Sequence, residues 1–143
     1  MDVSGAPSYL LDTNLTAYIV NGRSKLARRM LEETLAQGPV AISVVTEAEI
    51  LYGLAIKPEA ARLRDGVEKL FQVIEIIAWD SAAARAYSTL RAHLRREGKS
   101  LAVVDLLIAA HALSSESILV SHDKAFQHAA PYIKIADWVT DLS

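Results

Sequence analysis

Short apolar runs alternate along this chain with longer segments whose apolar residues recur at helical spacing. That alternation restricts the fold more than any other feature. Residues 8–12 (SYLLD) form a brief apolar run that ends on an acid. Ser24 then suits the N-cap of a helix carrying Ala27, Met30, Leu31 and Leu35 on one face, with Gly38 past its end. Val40–Ser43 reads as a strand and residues 46–55 as a helix. Pro58 suits a first helical turn, followed by a face of Leu63, Val67 and Leu70. Residues 73–77 are β-branched and read as a strand. Asp80 or Ser81 opens a helix striped with Ala83, Tyr87, Leu90 and Leu94 before Gly98. Residues 101–113 are apolar nearly all round, which predicts a buried helix. Residues 118–121 and 133–136 supply the last strands. Strands separated by helices imply an α/β fold, with helices on both faces of a mostly parallel sheet of about five strands. Ligands of such sheets bind at the carboxyl ends of the strands, where the strand order reverses.

The 143 residues fit one domain, 1–143, with residues 1–7 a small polar N-terminal extension. An apolar content of 52% excludes intrinsic disorder. The absence of cysteine removes disulfides, thiolate metal sites and thiol nucleophiles, and fits a cytoplasmic protein. No apolar run is long enough to span a bilayer, and the N-terminus lacks the basic start and apolar run of a signal peptide, so no membrane partner is expected. A net charge of −2 excludes a globally basic nucleic-acid coat, and 6% aromatics argue against a stacking platform for single strands.

Four of the 17 acids lie where a solvated surface does not account for them. Asp12 ends the first strand, and its ordinary alternative is an N-cap or an Asx-turn with Thr13 and Asn14. Glu49 follows Thr46 by three residues, which also reads as a capping box. Asp105 is the one charge in the apolar helix, where its alternative is a buried acid held by backbone N–H groups. Asp123 follows the strand at 118–121 and equally suits a turn or cap. Two of these acids end strands of one parallel sheet, and two lie on helices that start at the same edge. Four carboxylates converging there repel one another and raise one another's pKa. A hard divalent cation resolves the repulsion, and Mg2+ or Mn2+ prefers such oxygen ligands. A metal on that cluster suits phosphodiester hydrolysis.

At these residues the sequence resembles the PIN domain family, and within it the VapC-like toxins of bacterial toxin–antitoxin pairs. The matching motifs are LLDTN at 10–14, SVVTEAEILYG at 43–53, VVDLLIAAHAL at 103–113 and LVSHDKAF at 119–126, with IADW at 135–138. The resemblance implies a three-layer α/β/α fold and a Mg2+- or Mn2+-dependent endoribonuclease. It carries the family's acids onto Asp12, Glu49, Asp105 and Asp123, and supporting polar positions onto Asn14 and Ser121. The family pattern has Thr and Asn where this chain has Ser121 and His122, and a glycine is common where Ala102 sits. The resemblance further implies transfer RNA or ribosomal RNA as substrate, a cognate VapB-like antitoxin, and a homodimer or higher toxin–antitoxin assembly. Residues 14–20 and 51–54 offer apolar helical faces for such partners, with core packing as the alternative.

Phosphate contacts need cations. The richest local source is HLRREGK at 93–99, so Arg95, Arg96 and Lys99 are candidates, with Lys124, Arg28 and Arg29 beside them. A solvated helix face is the alternative for each. His111 reads as a satisfied helix histidine, and no histidine pair has zinc spacing. Two competing functions stay open. Asp12-Thr-Asn14 faintly resembles the opening of haloacid-dehalogenase-like phosphatases, although Asn14 stands where their second acid belongs. A PIN-like domain that binds metal, RNA or a partner without cutting is the other.

Overall fold

The computed structural model describes residues 8–140. The proposed N-terminal extension, residues 1–7, lies outside them. Five strands are present: β1 (Ser8–Leu11), β2 (Val40–Ser43), β3 (Glu75–Ile77), β4 (Ser117–Val120) and β5 (Ile135–Ala136). They form one sheet in the order β3-β2-β1-β4-β5, with every pairing parallel. The connections hold α1 (Thr13–Val20), α2 (Lys25–Leu35), α3 (Val44–Ala55), α4 (Ala61–Val73), α5 (Ser81–Arg96) and α6 (Val103–Ser114), with a 3₁₀ segment at Lys124–Ala129.

Strand alternation builds the two faces. Leu10 and Leu119 turn toward one side and pack with Leu90 and Leu94 of α5 and Leu106 and Ile108 of α6. Leu11, Ile42 and Val120 turn to the other and pack with Leu15 and Ile19 of α1, Leu31 of α2 and Leu70 of α4. The small residues Ala109 and Ala112 of α6 are fully buried in the first cluster. The result is a three-layer α/β/α arrangement. From β1 the chain steps outward to β2 and β3, then returns to lay β4 and β5 on the other side of β1. The order therefore reverses between β1 and β4, and the crevice opens at their carboxyl ends.

Several boundaries differ from the sequence expectation. Ser43 caps α3 by accepting the Val45 N–H at 3.0 Å, so the helix starts before Thr46. The Thr46–Glu49 capping box does not form, and Thr46 instead meets Thr13 hydroxyl to hydroxyl at 3.2 Å. Pro58 precedes α4 in a turn rather than opening it. Val73 ends α4, which shortens β3 to three residues. The last strand keeps only Ile135 and Ala136. The stop of α5 follows expectation: Gly98 adopts φ +71°, and the N–H groups of Gly98 and Lys99 close on the carbonyls of Arg95 and Leu94.

Candidate active site

Asp12 is the first residue after β1. Its N–H donates to the Val120 carbonyl at 3.0 Å and so extends the β1–β4 pairing to the sheet edge. Its Oδ1 accepts the Leu15 N–H at 2.7 Å and caps α1, while its carbonyl accepts the Thr16 hydroxyl at 2.7 Å. Its Oδ2 accepts the Ser121 hydroxyl at 2.6 Å. The N-cap role expected as the plain alternative is therefore real, and it coexists with a second role at the crevice. The side chain is only 2% exposed. Burial pushes its pKa from 3.8 up to about 6. The Ser121 and Leu15 hydrogen bonds oppose the rise, and the charges of Asp105 and Asp123 add to it.

Ser121 ties two of the acids together. Besides donating to Asp12, its Oγ accepts the Asp123 N–H at 3.0 Å. Asp123 caps the 3₁₀ segment through Ala125 N–H at 2.9 Å and stays half-buried. Asp105 lies in the first turn of α6 and is also half-buried. Burial raises its pKa first, and the Asp123 charge raises it further. Asp12, Asp105 and Asp123 thus share one electrostatic field at the crevice.

The donor chemistry fits a hard divalent cation, because each Asp12 oxygen keeps a lone pair beyond its one hydrogen bond. The carboxylates nevertheless keep some distance from one another: among the described residues no group of three or more His, Asp or Glu stands within metal-holding reach. Glu49 is exposed, one turn beyond Thr46 on α3, and makes no hydrogen bond or ion pair with the described residues. Three of the four predicted acids are coupled, and the fourth stands apart on a helix that starts at the same edge.

A family model of the PIN domain matches residues 9–131. The chain belongs to the PIN domain family. This PIN domain is 28% identical over 130 residues to the tRNA(fMet)-specific endonuclease VapC of Shigella flexneri, covering 91% of this chain and 97% of that one. It is 27% identical over 130 residues to ribonuclease VapC2 of Rickettsia felis, with the same coverage. Among solved structures, VapBC2 from Rickettsia felis bound to a promoter DNA fragment superposes with a TM-score of 0.85 at 27% identity, covering 92% of this chain and 98% of that one. DNA-bound VapBC from Salmonella typhimurium gives 0.80 at 26%, covering 93% and 99%. The α/β/α expectation holds, and the family assignment displaces the phosphatase alternative.

The predicted basic patch divides in this PIN domain. Arg95 and Lys99 share a shallow groove of about 310 Å³ with Tyr87, Arg91 and Val103, beside the start of α6. Arg96 turns instead to His93, its guanidinium donating to Nδ1 at 2.9 Å. Lys124 is exposed next to Asp123. Arg28 donates to the Ile19 carbonyl at 3.0 Å, at the end of α1 remote from Asp12. Arg91 was missed in the sequence, although its i, i+4 spacing to Arg95 on a helix was the signal for it.

Asn14 is exposed in the first turn of α1 and lines a cavity of about 330 Å³ with Leu15, Tyr18, His122 and Asp123. His122 Nδ1 donates to Asp137 Oδ2 at 2.9 Å. Burial pushes the Asp137 carboxyl up, but hydrogen bonds from Thr140, His122 and the Val139 and Thr140 N–H groups outweigh it and hold the group below its usual range. Nothing in the sequence pointed to this pair, whose members lie 15 positions apart. The expectation of a satisfied histidine holds in part for His111: it is buried and hydrogen-bonds the Ala78 backbone, but its Nδ1 has no hydrogen-bond partner among the described residues. Burial lowers its pKa, so it stays neutral in the core.

Proposed function

We propose that this PIN domain is a metal-dependent endoribonuclease acting as the toxin of a toxin–antitoxin pair, silenced by a VapB-like antitoxin. The observation that carries the reading is Asp12: a carboxylate 2% exposed, hydrogen-bonded on both oxygens, in the field of Asp105 and Asp123 at the strand-order reversal. A buried acid in the field of two like charges is costly for folding alone. A divalent cation relieves that cost, and PIN-domain nucleases are in general divalent-metal dependent. Asp12, Asp105 and Asp123 would hold Mg2+ or Mn2+, with Glu49 of α3 as the fourth acid of the proposed set. A divalent metal held there would supply an activated water and charge stabilisation at the phosphate. Ser121 holds Asp12 in place, and Arg91, Arg95, Lys99 and Lys124 attract the RNA backbone.

The kinship with VapC endonucleases supports transfer RNA as the substrate, with ribosomal RNA next. Partner binding draws support from the end of α3 and its cap, where Leu51, Tyr52 and Ile56 are 48%, 63% and 58% exposed. Leu54 and the apolar side of α1 are spent on the core, so the partner face is narrower than residues 14–20 and 51–54 implied. A homodimer uses the same kind of surface. The open spacing of the acids favours one rival, a domain that binds RNA without cutting.

The test is incubation of the purified chain with structured RNA and with a small phosphomonoester, in Mg2+, Mn2+ or EDTA. RNA is cut with either metal and not with EDTA, and the phosphomonoester is left intact. Binding of RNA with no cleavage in any metal establishes the rival instead.

A further inference from the structure

We propose that Asn14, Tyr18 and His122 form a subsite for an unpaired nucleobase next to the scissile phosphate. The inference rests on the endoribonuclease reading and adds a specificity determinant to it. The cavity lined by these three residues shares Asp123 with the acid cluster, and Asn14 lies two positions from Asp12. Its volume of about 330 Å³ admits one base and not a helix.

The chemistry of its walls suits a base. The Tyr18 and His122 rings lie 6.5 Å apart between centroids at 47°, so a planar group can stack on one and meet the edge of the other. Leu15, itself buried, adds an apolar residue to the lining. The Asn14 amide makes no hydrogen bond with the described residues, which leaves both its donor and its acceptor for a base edge.

The walls are also fixed in orientation. The Asp137 carboxylate holds His122 through Nδ1, and Asp137 is itself held by the N–H groups of Val139 and Thr140 and the Thr140 hydroxyl. The Arg23 guanidinium lies over Tyr18 at 5.9 Å from the ring centroid. An exposed histidine on a strand-end loop is ordinarily free to rotate, whereas this one is anchored by Asp137 and lines the cavity that adjoins the acids. One anchored ring pair differs from a stacking platform, so the low aromatic content of the chain does not oppose it.

The experiment uses the full chain as Asp12→Asn in EDTA, with short single-stranded oligoribonucleotides that differ at one base, read by fluorescence anisotropy and by the His122 ring signals in NMR. Affinity is expected to depend on that base by about fivefold or more. Adding His122→Ala should lower affinity about tenfold and flatten the preference. His122→Phe should recover the affinity and not the preference, and a duplex of the same sequence should leave the His122 signals unmoved. Equal affinity and equal base preference in the His122→Ala protein overturn the subsite. Failure of the wild-type chain to cut RNA in Mn2+ overturns the nuclease reading instead, and the binding data in EDTA still decide the subsite.

Discussion

Asp12 concentrates the tension between stability and function in a single side chain. Its folded pKa of about 6 stands above the ordinary 3.8, so the folded state holds a proton that the unfolded chain releases. Stability from this group is full below the ordinary value and is lost as pH rises through 6, by at most on the order of 3 kcal/mol. Metal-free wild-type protein is therefore expected to lose stability between pH 4 and 6. Asp12→Asn should not show this loss and should be the more stable protein at pH 7. Chemical denaturation of both proteins across that range in EDTA checks this, and parallel curves would count against the buried-charge account. Asp105 was legible as the one charge in an apolar helix, and Asp12 and Asp123 by their places after the first and fourth strands. The residues that position them were less legible. Ser121 was recovered only through the family pattern, and the His122–Asp137 pair forms by tertiary contact alone.

Elements were read well where one signal dominates and less well where two compete. Val40–Ser43 was placed without error: Gly38 and Pro39 mark its start, and Val40 and Ile42 suit a strand. The N-terminus of α3 was misplaced because Ser43 and Thr46 both suit a cap. The structure chose Ser43, whose extended backbone (φ −74°, ψ 150°) is that of a cap. The choice matters for the site, since it releases Glu49 from a capping box and brings the Thr46 hydroxyl to Thr13 beside Asp12. Ser43→Ala is expected to cost about 1 kcal/mol. Thr46→Val should leave the helix cap intact and act on activity more than on stability. Urea melts paired with cleavage rates separate the two, and a larger stability loss at Thr46 than at Ser43 would restore the capping box.

At the scale of the whole molecule, the mild acidity of the chain first argued against a nucleic-acid enzyme. Leaving out Asp12, Glu49, Asp105 and Asp123 turns the net charge of −2 into +2, which leaves a small positive balance for phosphate. The groove of Arg91, Arg95 and Lys99 places part of that balance beside α6. Charge reversal at Arg91 and Arg95 together should weaken RNA binding about tenfold at low salt and reduce its salt dependence, with the fold unchanged by circular dichroism. An unaltered salt slope would remove the groove from the RNA path. The parallel sheet and its layers were legible from the alternation of periods, and the reversal between β1 and β4 follows from the strand order. The distances between carboxylates were not legible, because they depend on rotamers and on the charge the cluster holds.

In the proposed function, Asp12, Asp105 and Asp123 form one divalent-metal centre at that reversal. Mn2+ binding measured by water-proton relaxation tests it most directly, on the wild-type chain and on Asp12→Asn, Asp105→Asn and Asp123→Asn. The account predicts saturable binding by the wild type and a loss of tenfold or more in affinity in each variant. Wild-type affinity in all three variants, or no binding by any of the four proteins, would contradict it.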